Sequence, residues 1–234
     1  MGNSWFQFQQ FKIHQDRCAM KISTDAILLG GMADFQNPTK ILDIGTGTGV
    51  VSLMLAQRFP QASIVAVEVD DDAASQAYEN FQQSPFSERL KLVHSKIQNL
   101  NGEKFDLIVS NPPYFSDHLK SADPKRIKAL HTDELSFQDL LGKVAELLSP
   151  NGSFWVILPM RQMMDLEALA KEHSLLIQQS ISIRDRKDTK VLRQVCEFSF
   201  AQGHTNSKEL ILKDDDGSYT FAYRGILGGF LLGY

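Results

Sequence analysis

The 234-residue chain is 43% hydrophobic and 22% charged, which excludes the disordered and fibrous classes and leaves one globular domain, or a domain with a small extension. Its net charge of −4 argues mildly against a nucleic-acid partner, because phosphate binding draws on a basic surface. Cysteines 18 and 196 stand alone without a CxxC pattern, and the six histidines show no HxxxH spacing, so neither a disulfide framework nor a metal site is expected.

The opening MGNSWFQFQQFKIHQDR lacks the basic start, apolar run and small-residue cleavage site of a secretory signal. Phe6 occupies the position where a myristoylation motif needs Ser or Thr. No stretch is long enough to span a bilayer, so the expected location is cytoplasmic. These first 35 residues also lie outside the rhythm that begins near residue 40. From there short apolar runs alternate with longer amphipathic stretches, the pattern of a mostly parallel sheet wrapped by helices.

KILDI is the first buried strand, and Val50–Phe59 is a helix that stops before Pro60. ASIVAVEV, KLVHS and FDLIVS are the next three strands, with a helix over residues 71–83 ahead of Pro85. A helix over 137–148 is followed by a turn at Pro150, Asn151 and Gly152, and by a fifth strand, SFWVILP. After a helix over 161–173, LLIQQSISI and VLRQVCEFSF complete seven strands, the last antiparallel through a hairpin. The fold expected is a doubly wound α/β sheet with its ligands beyond the carboxyl ends of the strands. The polar connection over residues 113–135 leaves that edge, where long connections usually carry function.

Three features at that edge suggest chemistry. Gly45, Gly47 and Gly49, interleaved with Thr46 and Thr48, follow the first strand and open into a helix, which lets the backbone approach a ligand closely. A GxG loop alone also serves nicotinamide and flavin enzymes, but their third small residue would fall at Val50. Asp43 precedes the loop and suits an ammonium-bearing ligand. Glu68 ends the second strand beside the loop, where a carboxylate can accept both hydroxyl protons of a ribose. The plainer reading of Glu68 is an ordinary strand-end carboxylate, while Asp70, Asp71 and Asp72 are explained by helix capping. Third, FDLIVS runs into Asn111, Pro112, Pro113, Tyr114 and Phe115. The Asn111 side-chain oxygen and the Pro112 carbonyl can accept the two N–H bonds of a planar amino group. That localises a delocalised lone pair toward an electrophile while Tyr114 stacks on the substrate. A plain Asn-Pro-Pro turn is the bland alternative.

Asp43, the three glycines and Glu68 together resemble the cofactor site of class I S-adenosylmethionine methyltransferases, whose fold is Rossmann-like. Asn-Pro-Pro-Tyr resembles the catalytic motif of enzymes that methylate adenine N6, guanine N2 or glutamine amides. The opening segment from Phe8 through His14, Asp16, Arg17, Met20, Lys21, Thr24 and Asp25 to Gly30 resembles the start of the tRNA1(Val) adenine-37 N6-methyltransferase family, and the similarity covers nearly the whole chain. The resemblance implies S-adenosylmethionine as cofactor and tRNA, at its anticodon loop, as partner, with no membrane and no metal. It divides the chain into a cap over the cofactor pocket (1–35) and a catalytic domain (36–234). Lys21, Thr24 and Asp25 would close the pocket over a cofactor held by Asp43, Gly45, Thr46, Gly47, Gly49, Glu68, Ser95 and Asn111. Asn111, Pro112, Pro113 and Tyr114 would be catalytic, and Tyr114, Phe115, Lys125 and Arg126 would bind substrate. Read without the family, Lys21 and Asp25 are a surface pair four residues apart, while Ile27, Leu28 and Leu29 pack a helix face.

The chain departs from the family pattern where many relatives carry Asp or Asn for the cofactor's adenine amino group. Here Lys96 cannot accept a hydrogen bond, which leaves Ser95, backbone atoms or Gln98. Lys120, Lys125, Arg126 and Lys128 lie in the connection after the motif and suit anticodon-loop phosphates. They form one of two cationic clusters, the other being Arg184, Arg186, Lys187, Lys190 and Arg193; the bland reading of each is a solvated face. A base already unpaired in a loop flips at lower cost than one in a duplex. The competing readings are a protein glutamine methyltransferase, disfavoured because residues 1–35 are too few for its helical domain, a guanine-N2 rRNA methyltransferase, a noncatalytic RNA-binding module of the same fold, and more remotely a dehydrogenase.

Overall fold

A computed structural model describes residues 4–18, 20–113 and 135–233. Two short strands, β1 (Trp5–Gln7) and β2 (Lys12–His14), form an antiparallel hairpin ahead of helix α1 (Thr24–Met32). The chain then alternates β3 (Lys40–Ile44), α2 (Val50–Arg58), β4 (Ser63–Glu68), α3 (Asp71–Gln82), β5 (Leu90–His94) and β6 (Phe105–Ser110). Beyond residue 135 come α4 (Phe137–Leu147), β7 (Leu148–Leu158), α5 (Met160–Ala170), β8 (Leu176–Arg184), β9 (Val191–Ser199), β10 (Asn206–Ile211) and α6 (Phe221–Leu227).

The sheet has eight strands in the order β10-β8-β9-β7-β6-β3-β4-β5, one more than the sequence reading gives. The addition is β10, which pairs parallel to β8 along the sheet edge. Its sequence, NSKELI, has four exposed residues and no apolar run, as suits an edge that is blunted by charge. β9 is antiparallel to both neighbours, β7 and β8, as the hairpin reading expects. β3 to β7 run parallel, so their carboxyl ends share one edge.

Side-chain alternation along the strands feeds two cores. Ile41, Leu107, Val109, Trp155 and Ile157 meet α1, α2, α3 and α6 on one face, while Leu42, Ile44, Ile108, Phe154, Val156 and Leu158 meet α4 and α5 on the other. These strands are buried on both faces, which is why they read as continuous apolar runs. The turn expected at Pro150–Gly152 is absorbed into β7, whose pairing jumps from Phe105–Leu148 to Leu107–Ser153.

The amino-terminal hairpin shares the first core through Phe8, Phe11 and Ile13, all buried. Phe8 and Phe11 stack with ring centroids 4.4 Å apart. The carboxy-terminal segment packs beside this hairpin: the Gln9 amide donates to the Phe230 carbonyl at 2.8 Å, and the Gln9 side chain donates to the Gly228 and Leu231 carbonyls. Cys18 and Cys196 are both buried. Among the described residues no group of His, Cys, Asp or Glu could hold a metal, and no helix is long and apolar enough to cross a membrane.

Candidate active site

The carboxyl ends of β3, β4, β5 and β6 open on a cavity of about 450 Å3, within the range of small-molecule sites. Its wall includes Gly45 and Gly47 after β3, Glu68 and Val69 at the end of β4, Ser95 to Gln98 after β5, and Ser110 to Pro113 after β6. A larger groove of about 600 Å3, lined by Arg58, Trp155, Gln179 and Glu197 among others, contains none of the residues picked out as chemical.

Gly45 and Gly47 have φ of 72° and 56°, and open space lies where their β-carbons would be. The backbone can therefore meet a ligand directly. Gly49 has another task. It begins α2 with φ of 83°, and a β-carbon there would come within 2.4 Å of the Phe81 ring. Its role is the close approach of α3 to the loop.

Asp43 and Thr46 also act from behind the loop. Asp43 is 1% exposed, and its Oδ2 accepts from the Thr46 hydroxyl at 2.6 Å and the Ser52 hydroxyl at 2.7 Å. Neither Asp43 nor Thr46 lines the cavity. Burial pushes the Asp43 carboxyl up to about 6, with the two hydroxyls opposing and the neighbouring Glu68 charge adding to the rise. Asp43 fastens the loop to α2 from the core side.

Glu68 does face the cavity, and three backbone amides fix it. Gly47 donates to Oε2 at 2.8 Å, while Val69 and Asp70 donate to Oε1 at 2.8 and 3.0 Å. A carboxylate offers about four lone-pair positions, so with three amides bound acceptor capacity remains for one ligand hydroxyl. Asp70 instead caps α3, accepting from the Ala73 amide at 2.8 Å, as the capping reading expects.

Ser95 donates to the Lys96 carbonyl at 3.2 Å and accepts from the Asn99 side chain at 3.1 Å. Ser95, Lys96, Ile97 and Gln98 line one end of the cavity together. On the adjoining strand Ser110 donates to the Ile44 carbonyl at 2.9 Å. Ile44 and Ser110 are register partners in β3 and β6, so the glycine loop and Asn111 leave the sheet side by side.

Lys21, Thr24 and Asp25 are not on the cavity wall, whereas Met20 is. Asp25 sits in the first turn of α1 and pairs with Arg193 of β9 at 2.7 Å. Leu135 and Asp139 also line the cavity, and both escaped the sequence reading. The only signal for Asp139 is the Ser136-x-x-Asp139 spacing, a helix-start pattern that the structure realises: the Ser136 hydroxyl accepts from the Asp139 amide at 3.0 Å and donates to its carboxylate at 2.8 Å. Tyr114, Phe115, Lys120, Lys125, Arg126 and Lys128 lie outside the described residues.

Residues 23–179 match the methyltransferase small domain family. A tRNA1(Val) (adenine(37)-N6)-methyltransferase of Pedobacter heparinus is 43% identical over 230 residues, covering 98% of each chain. Its counterpart in Bacteroides fragilis is 39% identical over 227 residues, covering 95% of each. Among solved structures, a predicted O-methyltransferase of Agrobacterium tumefaciens superposes with a TM-score of 0.70 at 18% identity, over 88% of this chain and 96% of that one; this likeness concerns the fold. With the glycine loop, Glu68 and Asn111 around one cavity, and similarity over nearly its whole length, the chain belongs to the methyltransferase small domain family and, within it, to the tRNA1(Val) (adenine(37)-N6)-methyltransferases.

Proposed function

We propose that this protein transfers a methyl group from S-adenosylmethionine to the exocyclic N6 of an adenine in tRNA, adenine-37 of a valine tRNA. The observation that carries the reading is the presence of Asn111, Pro112 and Pro113 on the wall of the cavity that also holds Gly45, Gly47 and Glu68. The activity printed for its relatives supports it.

Bound S-adenosylmethionine supplies an electrophilic methyl group on a sulfonium. The residues present fit it. Glu68, already oriented by three amides, accepts from a ribose hydroxyl on its remaining lone pair. Gly45 and Gly47 let the backbone pass close to the ligand. Ser95, Ile97 and Gln98 surround the base, with Lys96 contributing its aliphatic stem. Residues 1–35 act as a cap on this pocket, and residues 36–234 form the catalytic domain.

At the reacting nitrogen, the Asn111 oxygen and the Pro112 carbonyl accept the two N–H bonds of the adenine amine. This draws the lone pair out of the ring system and aims it at the methyl group. The amine proton becomes acidic only as the N–C bond forms and the methyl–sulfur bond breaks, and it then leaves to solvent, so the site needs no strong base to begin transfer. Pro112 and Pro113 restrict the backbone and hold both acceptors in place.

Valine tRNA transcripts carrying adenine or guanine at position 37 test the reading. Label from S-adenosylmethionine is expected in the adenine transcript only. Equal labelling of both transcripts, or of neither, overturns the assignment of the target base.

A further inference from the structure

The amino-terminal hairpin is held to the glycine loop by one buried side chain. Asn80 lies on α3 with no exposed surface. Its Oδ1 accepts from the His14 amide at 2.8 Å, and its Nδ2 donates to the His14 carbonyl and to the Thr48 carbonyl, each at 2.9 Å. The amide thus pairs with both backbone groups of His14, as a neighbouring strand would, while holding the residue between Gly47 and Gly49. One helical turn earlier, buried Gln76 accepts from the Arg17 amide at 3.3 Å. Further along the segment, buried Gln15 accepts from the Ile22 amide at 2.9 Å. That bond closes the loop that places Met20, 66% exposed, on the cavity wall.

These contacts form a continuous path. It runs from Gly47 on the wall through Thr48 and Asn80 to His14, then through Gln15 to Ile22 and the neighbouring Met20. We propose that Asn80 is a positioning residue that couples docking of the segment over residues 12–22 to cofactor binding. The proposal rests on the cofactor reading of this cavity. A ligand that touches both the loop and Met20 favours the docked segment, and by reciprocity the docked segment strengthens ligand binding. A purely structural Asn80 would anchor the hairpin to the core without that coupling, a task Phe8, Phe11 and Ile13 already perform.

Amide hydrogen exchange over residues 12–22, with and without S-adenosylhomocysteine, is the first test. Calorimetric titration of the same ligand into wild type, Asn80→Ala and Gln15→Ala is the second. The coupling predicts that ligand raises protection across 12–22 in the wild type. It also predicts that each variant binds about tenfold more weakly, the usual scale of coupling between sites, and loses the ligand-dependent protection. Gln15→Ala keeps the test open if Asn80→Ala fails to fold, since it alters the segment away from α3. Unchanged wild-type protection, or variants of lower thermal midpoint that bind with wild-type affinity, would overturn the coupling and leave the cofactor reading intact. Absence of binding by the wild type itself would overturn both.

Discussion

Replacing Glu68 by Gln probes the cofactor site with little change in shape. The carboxylate accepts from Gly47 on one oxygen and from Val69 and Asp70 on the other. A glutamine has one acceptor oxygen, so whichever way the amide turns, its NH2 confronts at least one backbone N–H. Keeping the pair at Val69 and Asp70 sacrifices the bond to Gly47, one of the bonds that hold the loop. A hydrogen bond to a charged group contributes about 1.5–3 kcal/mol, and about 1.4 kcal/mol corresponds to a factor of ten. The dissociation constant for S-adenosylhomocysteine is therefore expected to rise by roughly 10- to 100-fold. Calorimetric titration at fixed pH and salt gives that ratio, with thermal melting of the ligand-free protein as a control on folding. A folded Glu68→Gln protein that binds within threefold of wild type would refute the claim that Glu68 fixes the loop and accepts from the ligand.

Asn111→Ala should abolish detectable transfer while leaving S-adenosylhomocysteine affinity within a few-fold of wild type, because the side chain acts on the substrate nitrogen; full activity would remove it from the chemistry. Asp43 gives a pH signature. Its folded value of about 6 lies above the ordinary 3.8, so its contribution to stability is fully present below about pH 4 and is lost as pH rises through 6. Two units at 1.36 kcal/mol each give about 3 kcal/mol, so stability of wild type relative to Asp43→Asn should fall by about that much between pH 4 and 7, measured by denaturant unfolding; a difference that does not vary with pH contradicts the burial argument. Gly49→Ala combines a left-handed φ of 83° with a 2.4 Å approach to Phe81, and should destabilise the fold by about 2–4 kcal/mol in urea unfolding. An unaltered midpoint would refute that packing.

The central strands were legible because burial on both faces leaves uninterrupted apolar runs such as KILDI and FDLIVS. β10 was not, because an exposed edge strand leaves no hydrophobic pattern in NSKELI; its position depends on pairing with β8. The site was legible where strand ends determine it. Gly45, Gly47, Glu68, Ser95 and Asn111 all reach the cavity wall. Residues whose partners are distant in sequence were not. Asp25 meets Arg193 across 168 positions, and Asn80 joins His14 across 66 positions. Spacing within the opening segment could not reveal that Met20, instead of Lys21, lines the cavity.

The most direct test of the central claim uses purified protein, labelled S-adenosylmethionine and total RNA from cells that lack the modification, followed by nuclease digestion and identification of the labelled nucleoside. The account predicts N6-methyladenosine, recovered from valine tRNA. Label in N2-methylguanosine, or in protein when a lysate replaces the RNA, would contradict it.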